Sequence, residues 1–74
     1  MKLCDCHPGD TVRIRHISSD FSLYWRLIDM GILPGCRAFV LGYTPFGDLM
    51  TVRIRDYSLS FRRQEAGKIE VERL

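Results

Sequence analysis

Seventy-four residues allow one domain, near the lower size at which a hydrophobic core alone sustains a fold. Hydrophobic residues make up 46% of the chain and charged residues 27%, which excludes wholesale disorder. The formal net charge of +2 is too small to imply a polyanionic partner by itself, and no apolar run approaches the ~20 residues that cross a bilayer. The N-terminus, Met1 to Cys6, has no apolar segment of the kind that opens a secretory signal. Without such a signal, the three cysteines (Cys4, Cys6 and Cys36) read as reduced, cytosolic thiols rather than a disulfide framework.

Asp10 to Ile17 predicts the first strand. Val12 and Ile14 fall on one face, Arg13 and Arg15 on the other. Pro8-Gly9 opens it, and Ser18-Ser19-Asp20 closes it while offering Ser19 as a helix N-cap. A helix is then predicted from about Asp20 to Met30. Leu23, Leu27 and Met30 share one stripe, and Phe21, Tyr24, Trp25 and Ile28 a second. A short surface helix normally needs only one apolar stripe, so one of these should enter the core and the other meet a loop or a partner.

Gly31 suits the left-handed residue that ends a helix, with Leu27 and Ile32 placed to make the accompanying apolar contact. Pro34-Gly35 fits the centre of a type II turn. Ala38 to Tyr43 is apolar on both faces and predicts a central strand, bent at Gly42. Thr44-Pro45-Phe46-Gly47-Asp48 is a turn by composition. Met50 to Arg55 alternates, Asp56-Tyr57 turns the chain, and Ser58 to Phe61 follows with Leu59 and Phe61 inward. Arg62 to Lys68 is a short helical or 3₁₀ connector, and Ile69 to Glu72 a last alternating strand. Five short strands with one helix between the first two predict a small closed or nearly closed barrel, since closure removes the exposed edges of an open sheet. The expected core is Val12, Ile14, Leu27, Met30, Val40, Val52, Ile54, Leu59, Phe61, Ile69 and Val71.

Three groups of residues carry chemistry. Cys4, Cys6 and His7 are candidate metal ligands, with Cys36 or His16 to complete a tetrahedral set. Their spacing is unusual for zinc and the chelate loop is tight, so the expectation is no metal site and no cofactor, with Cys6 a small buried apolar residue. Arg13, Arg15, Arg53, Arg55, Arg62 and Arg63 could form a basic surface. Glu65, Glu70 and Glu72 are placed to pair with them across strands, and aromatics among them are sparse, so a solvated mixed-charge face is expected and nucleic acid is not. No phosphate loop, nucleophile elbow or His-Glu-x-x-His zinc motif is present, and no carboxylate pair marks a cleft, so no enzymatic activity is expected.

Taken together, Leu3, Pro8-Gly9-Asp10 and Ile14, then Arg26-Leu27-Ile28-Asp29-Met30-Gly31-Ile32-Leu33-Pro34-Gly35, then Pro45-Phe46-Gly47-Asp48 and Leu59 to Val71 resemble the FeoA family over the whole chain, 1–74. The helix-stop motif is the specific part. Asp56 departs from a common glycine, which an aspartate tolerates at positive φ; Phe61 departs from a usual leucine, and Trp25 from a frequently charged residue.

The resemblance implies an SH3-like barrel that serves as a non-enzymatic, cytoplasmic accessory of bacterial ferrous-iron uptake. Its implied partner is the cytosolic part of FeoB, the membrane iron transporter, with no membrane insertion of its own. Transition-metal binding enters at the family level and attaches to no residue here. The same barrel occurs in iron-dependent repressors, which is the alternative within the fold; no helix-turn-helix is present to read DNA. A small RNA-binding barrel is the alternative from another class. Tyr24, Trp25 and Phe46 are the expected interface residues, facing FeoB or a second copy of the chain, Trp25 because large aromatics most often carry binding energy.

Overall fold

A computed structural model describes all 74 residues. Five antiparallel strands form one sheet: β1 (Thr11–Ile17), β2 (Arg37–Tyr43), β3 (Leu49–Ile54), β4 (Tyr57–Arg62) and β5 (Ile69–Arg73). Their spatial order is β4-β3-β2-β1-β5, so the sheet curls with β4 and β5 at its two ends. Helix α1 (Tyr24–Asp29) lies between β1 and β2 in sequence, and a single helical turn, α2 (Arg63–Ala66), joins β4 to β5. This is the small five-stranded barrel that the sequence predicts, mostly β with one helix after the first strand.

The barrel is not closed by a hydrogen-bond ladder. The β4–β5 seam is spanned instead by α2 and by a 3₁₀ turn at Leu3–Asp5 that packs against α2 and β5. Leu3 and Ala66 are both completely buried there. The N-terminus also covers the free edge of β5, since the Met1 carbonyl accepts from the Val71 amide at 2.8 Å. An edge that would otherwise invite another strand is thereby blunted.

One core runs through the domain, and every predicted member except Met30 and Leu59 is fully buried; those two pack on it half-buried. Leu3, Cys6, Ile17, Phe21, Ile32 and Met50 join it. Ile17 does so because of a bulge. The β1–β5 register runs Ile14 to Val71 and then His16 to Glu70, which resets the alternation. His16, on the Val12–Ile14 face by simple parity, is therefore turned outward, and Ile17 goes in. A second bulge between Val40 and Gly42 bends β2 at the predicted position. β2 is central in the sheet, yet its outer face is bare: Phe39 and Leu41 are exposed.

The helix stop forms as its sequence requires. Gly31 has φ +79°. The Ile32 amide donates to the Leu27 carbonyl at 2.9 Å, and the Gly31 amide to the Ile28 carbonyl at 2.9 Å, the paired bonds of a Schellman stop. Gly35 follows at φ +101°, and the Cys36 amide closes the type II turn on the Leu33 carbonyl at 3.1 Å. Gly31→Ala should lower stability by about 1–2 kcal/mol, the strain of a Cβ in the left-handed region; a urea midpoint equal to that of the parent chain would contradict this.

The start of the helix differs from expectation. Residues 20–23 form turns, and α1 begins at Tyr24 with Leu23 as a cap that makes no side-chain bond. Ser19 caps nothing, because tertiary ties hold the preceding segment. The Ser18 amide donates to the Lys68 carbonyl at 3.0 Å, the Ser18 hydroxyl bonds the Asp20 carboxylate, and Lys68 Nζ reaches that carboxylate at 3.3 Å. With Phe21 buried, the chain is pinned before it can wind. The β3–β4 turn brings a second correction: the positive φ, +58°, falls on Arg55 and not on Asp56.

Candidate interaction surfaces

The metal candidates are separated. Cys6 is buried, with its thiol aimed at the Lys2 carbonyl at 3.8 Å, and burial pushes that thiol up from its ordinary pKa. Cys4 lies near Asp5 Oδ1 at 3.9 Å, Cys36 near the Gly31 carbonyl at 3.6 Å, and His7 points into solvent. No three His, Cys, Asp or Glu side chains converge on one point, so the donor set that Cys4, Cys6 and His7 suggest in sequence is not assembled. Cys6 has a structural role instead: its carbonyl accepts the Tyr43 hydroxyl, tying the N-terminal turn to the end of β2. Arg63 stacks over the Tyr43 ring at 5.8 Å and extends that tie to α2.

Asp10 closes a second tie between the chain's ends. Its carboxylate accepts from the His7 amide at 2.8 Å and from Arg73 at 3.3 Å. The amide first, and then Arg73, hold its pKa below the ordinary 3.8. The Ser18 hydroxyl and Lys68 do the same for Asp20. A carboxyl depressed in the folded state contributes stability that is complete above its unfolded pKa and is lost as the pH falls through the folded value. The urea midpoint should therefore drop as the pH is lowered through and below the ordinary carboxylate range, and Asp10→Asn should flatten part of that slope; a pH-independent midpoint there would contradict it.

The predicted interface residues lie at the surface, in two places. Tyr24 and Trp25 stack edge to face with centroids 5.1 Å apart. Tyr24 is half-buried, and Trp25 is 71% exposed. Its stripe-mates go inward, Phe21 fully and Ile28 in part, because Phe21 precedes the helix and is not bound by its periodicity. Phe46 is 95% exposed on the β2–β3 turn. That turn is held by Thr44, whose hydroxyl bonds Asp48 at 2.5 Å, and it borders Arg62, Arg63 and Gln64. Tyr24 and Trp25 are brought together; the turn that carries Phe46 borders α2.

The arginines divide unequally. Glu72 on β5 pairs with Arg15 at 2.9 Å and Arg13 at 3.8 Å, as cross-strand pairing predicts. Glu65 instead caps α2, accepting the Arg62 amide at 2.8 Å, and Glu70 makes no ion pair. Arg53 and Arg55 are left without a carboxylate partner, together with Arg37, which the charge pattern of the sequence did not single out. These three line a concavity of about 480 Å³ with Phe39, so the basic face does contain an aromatic.

Residues 1–73 match the family model described as FeoA domain. A curated relative, the Fe(2+) transport protein A/Fe(2+) transporter FeoB fusion protein of Porphyromonas gingivalis, is 36% identical over 72 residues. That match takes in 97% of this chain and 8% of the relative, so the chain spans a small part of the relative's length. Among solved structures, the FeoA-like protein of Clostridium acetobutylicum superposes with a TM-score of 0.87 at 34% identity, covering 100% of this chain and 86% of that one. A manganese-dependent transcriptional repressor superposes with a TM-score of 0.84 at 27% identity, over 100% of this chain and 41% of the repressor. The sequence match from end to end, and the barrel with its glycine-stopped helix, agree: the chain belongs to the FeoA domain family.

Proposed function

We propose that this protein is a non-catalytic accessory of ferrous-iron uptake, acting in the cytoplasm by binding the cytosolic part of a FeoB-type transporter. The observation that carries the reading is the relative in which the matching segment and a FeoB transporter form one polypeptide. Fusion holds two modules at high effective concentration, which serves partners that must meet. The contact proposed on this chain is the exposed edge-to-face pair of Tyr24 and Trp25, with Phe46 as a second anchor. The edge-to-face contact with half-buried Tyr24 restricts Trp25 on one side, which lowers the side-chain entropy that binding costs.

Titration calorimetry against a purified FeoB cytosolic domain tests this. Trp25→Ala should weaken binding about 30-fold, the loss of a hot-spot aromatic, and Phe46→Ala should weaken it less. Both variants should keep the parent unfolding midpoint, because neither side chain is in the core. Unchanged binding in both variants, or a lowered midpoint with binding intact, would refute the interface. Sedimentation of the chain alone shows whether the same aromatics join two copies instead.

A further inference from the structure

Like charges face one another on the outer surface of β1, β2 and β3. Arg13 lies directly across from Arg37. Arg55, the turn residue just past the Ala38–Ile54 pair, lines the same concavity as Arg37. In the next row Phe39 stands between Thr11 and Arg53. Like charges opposed across strands destabilise a sheet, and here only Arg13 has relief, from a glutamate that sits closer to Arg15. Arg55 is also held at positive φ, with its guanidinium within 3.7 Å of where a Cβ on Gly31 would stand. Arg37, Phe39, Arg53 and Arg55 line one concavity, so the unrelieved charge surrounds an exposed ring.

We propose that this face docks an acidic, extended segment of a partner protein. Its carboxylates pair with Arg37, Arg53 and Arg55, and an apolar side chain rests on Phe39. The dimensions fit. Neighbouring strands lie about 5 Å apart, and side chains two apart on an extended segment are about 7 Å apart. Two carboxylates at alternate positions therefore reach two of these arginines on adjacent strands, and planar guanidinium groups suit bidentate carboxylates.

A nucleic-acid strand fits less well. The row ends at Glu72, and Glu70 lies beyond it on β5, so no basic track continues in that direction. One ring is also a poor platform where single strands use several. This surface differs from the Tyr24–Trp25 pair, and the proposal stands whether or not that pair meets a transporter.

Fluorescence anisotropy with the full chain tests it. The probes are a labelled peptide with glutamates at alternate positions around a leucine, its glutamine counterpart, and single-stranded oligo-uridine. The glutamate peptide should bind, more weakly as salt rises, and the glutamine peptide should not. Arg37→Gln and Arg53→Gln should each weaken binding about fivefold, and Phe39→Ala should weaken it further. The thermal midpoint of Arg37→Gln should equal or exceed that of the parent, because Arg13 then faces no like charge. Three outcomes would overturn the proposal: peptide affinity unchanged by the arginine variants, a lowered midpoint marking Arg37 as structural, or oligo-uridine binding more tightly than the glutamate peptide and lost with the same arginines.

Discussion

Leu27→Ala should remove about 2–5 kcal/mol of folding free energy. Leu27 is the fully buried residue of α1, at 2% exposure, and it carries the helix on the barrel. Its carbonyl accepts the Ile32 amide that closes the helix stop, and Ile32 is completely buried. Truncation leaves a cavity where the helix meets the core. Small domains have total stabilities of roughly 5–15 kcal/mol, so this is a large share of the whole. Urea unfolding followed by far-ultraviolet circular dichroism measures it; Trp25 is too exposed to report faithfully on core packing. A loss below about 1 kcal/mol, the range of surface changes, would place Leu27 outside the core.

Phe61→Ala should cost about 3–5 kcal/mol, for a different reason. Phe61 is the last inward residue of β4, directly opposite Met50, and both are 1% exposed. It stands where the hydrogen-bond ladder ends and α2 carries the chain to β5. A seam without a ladder depends on side-chain packing, so a cavity at Phe61 acts where little else resists opening. Amide exchange should therefore speed up in α2 and β5 more than in β2, which is paired on both sides. Uniform acceleration across the sheet would show that the seam has no weakness of its own.

Short-range devices were legible from residues alone. Leu27 to Gly35 encodes a helix end and a turn through steric rules that need no distant partner, and both form. Alternation in Val12–Ile14, Val52–Ile54 and Ile69–Val71 placed the inward faces correctly, because the strand period is 2 wherever no bulge intervenes. The second apolar stripe, with Trp25 in it, was legible as more than a short surface helix needs to bury, and Trp25 is the member of it left exposed.

Tertiary structure decided the remainder. His16 and Ile17 exchange faces at a bulge, and a bulge is set by the register of the partner strand rather than by either residue. The helix begins at Tyr24 because Lys68, remote in sequence, holds Ser18 and Asp20 in turns. The arginines separate into paired and unpaired sets by strand order. β5 returns beside β1 and brings Glu72 to Arg13 and Arg15, whereas Arg53 on β3 faces only Phe39 and Ser58. Composition fixes how many charges a chain carries; which of them find partners depends on which strands the fold makes neighbours.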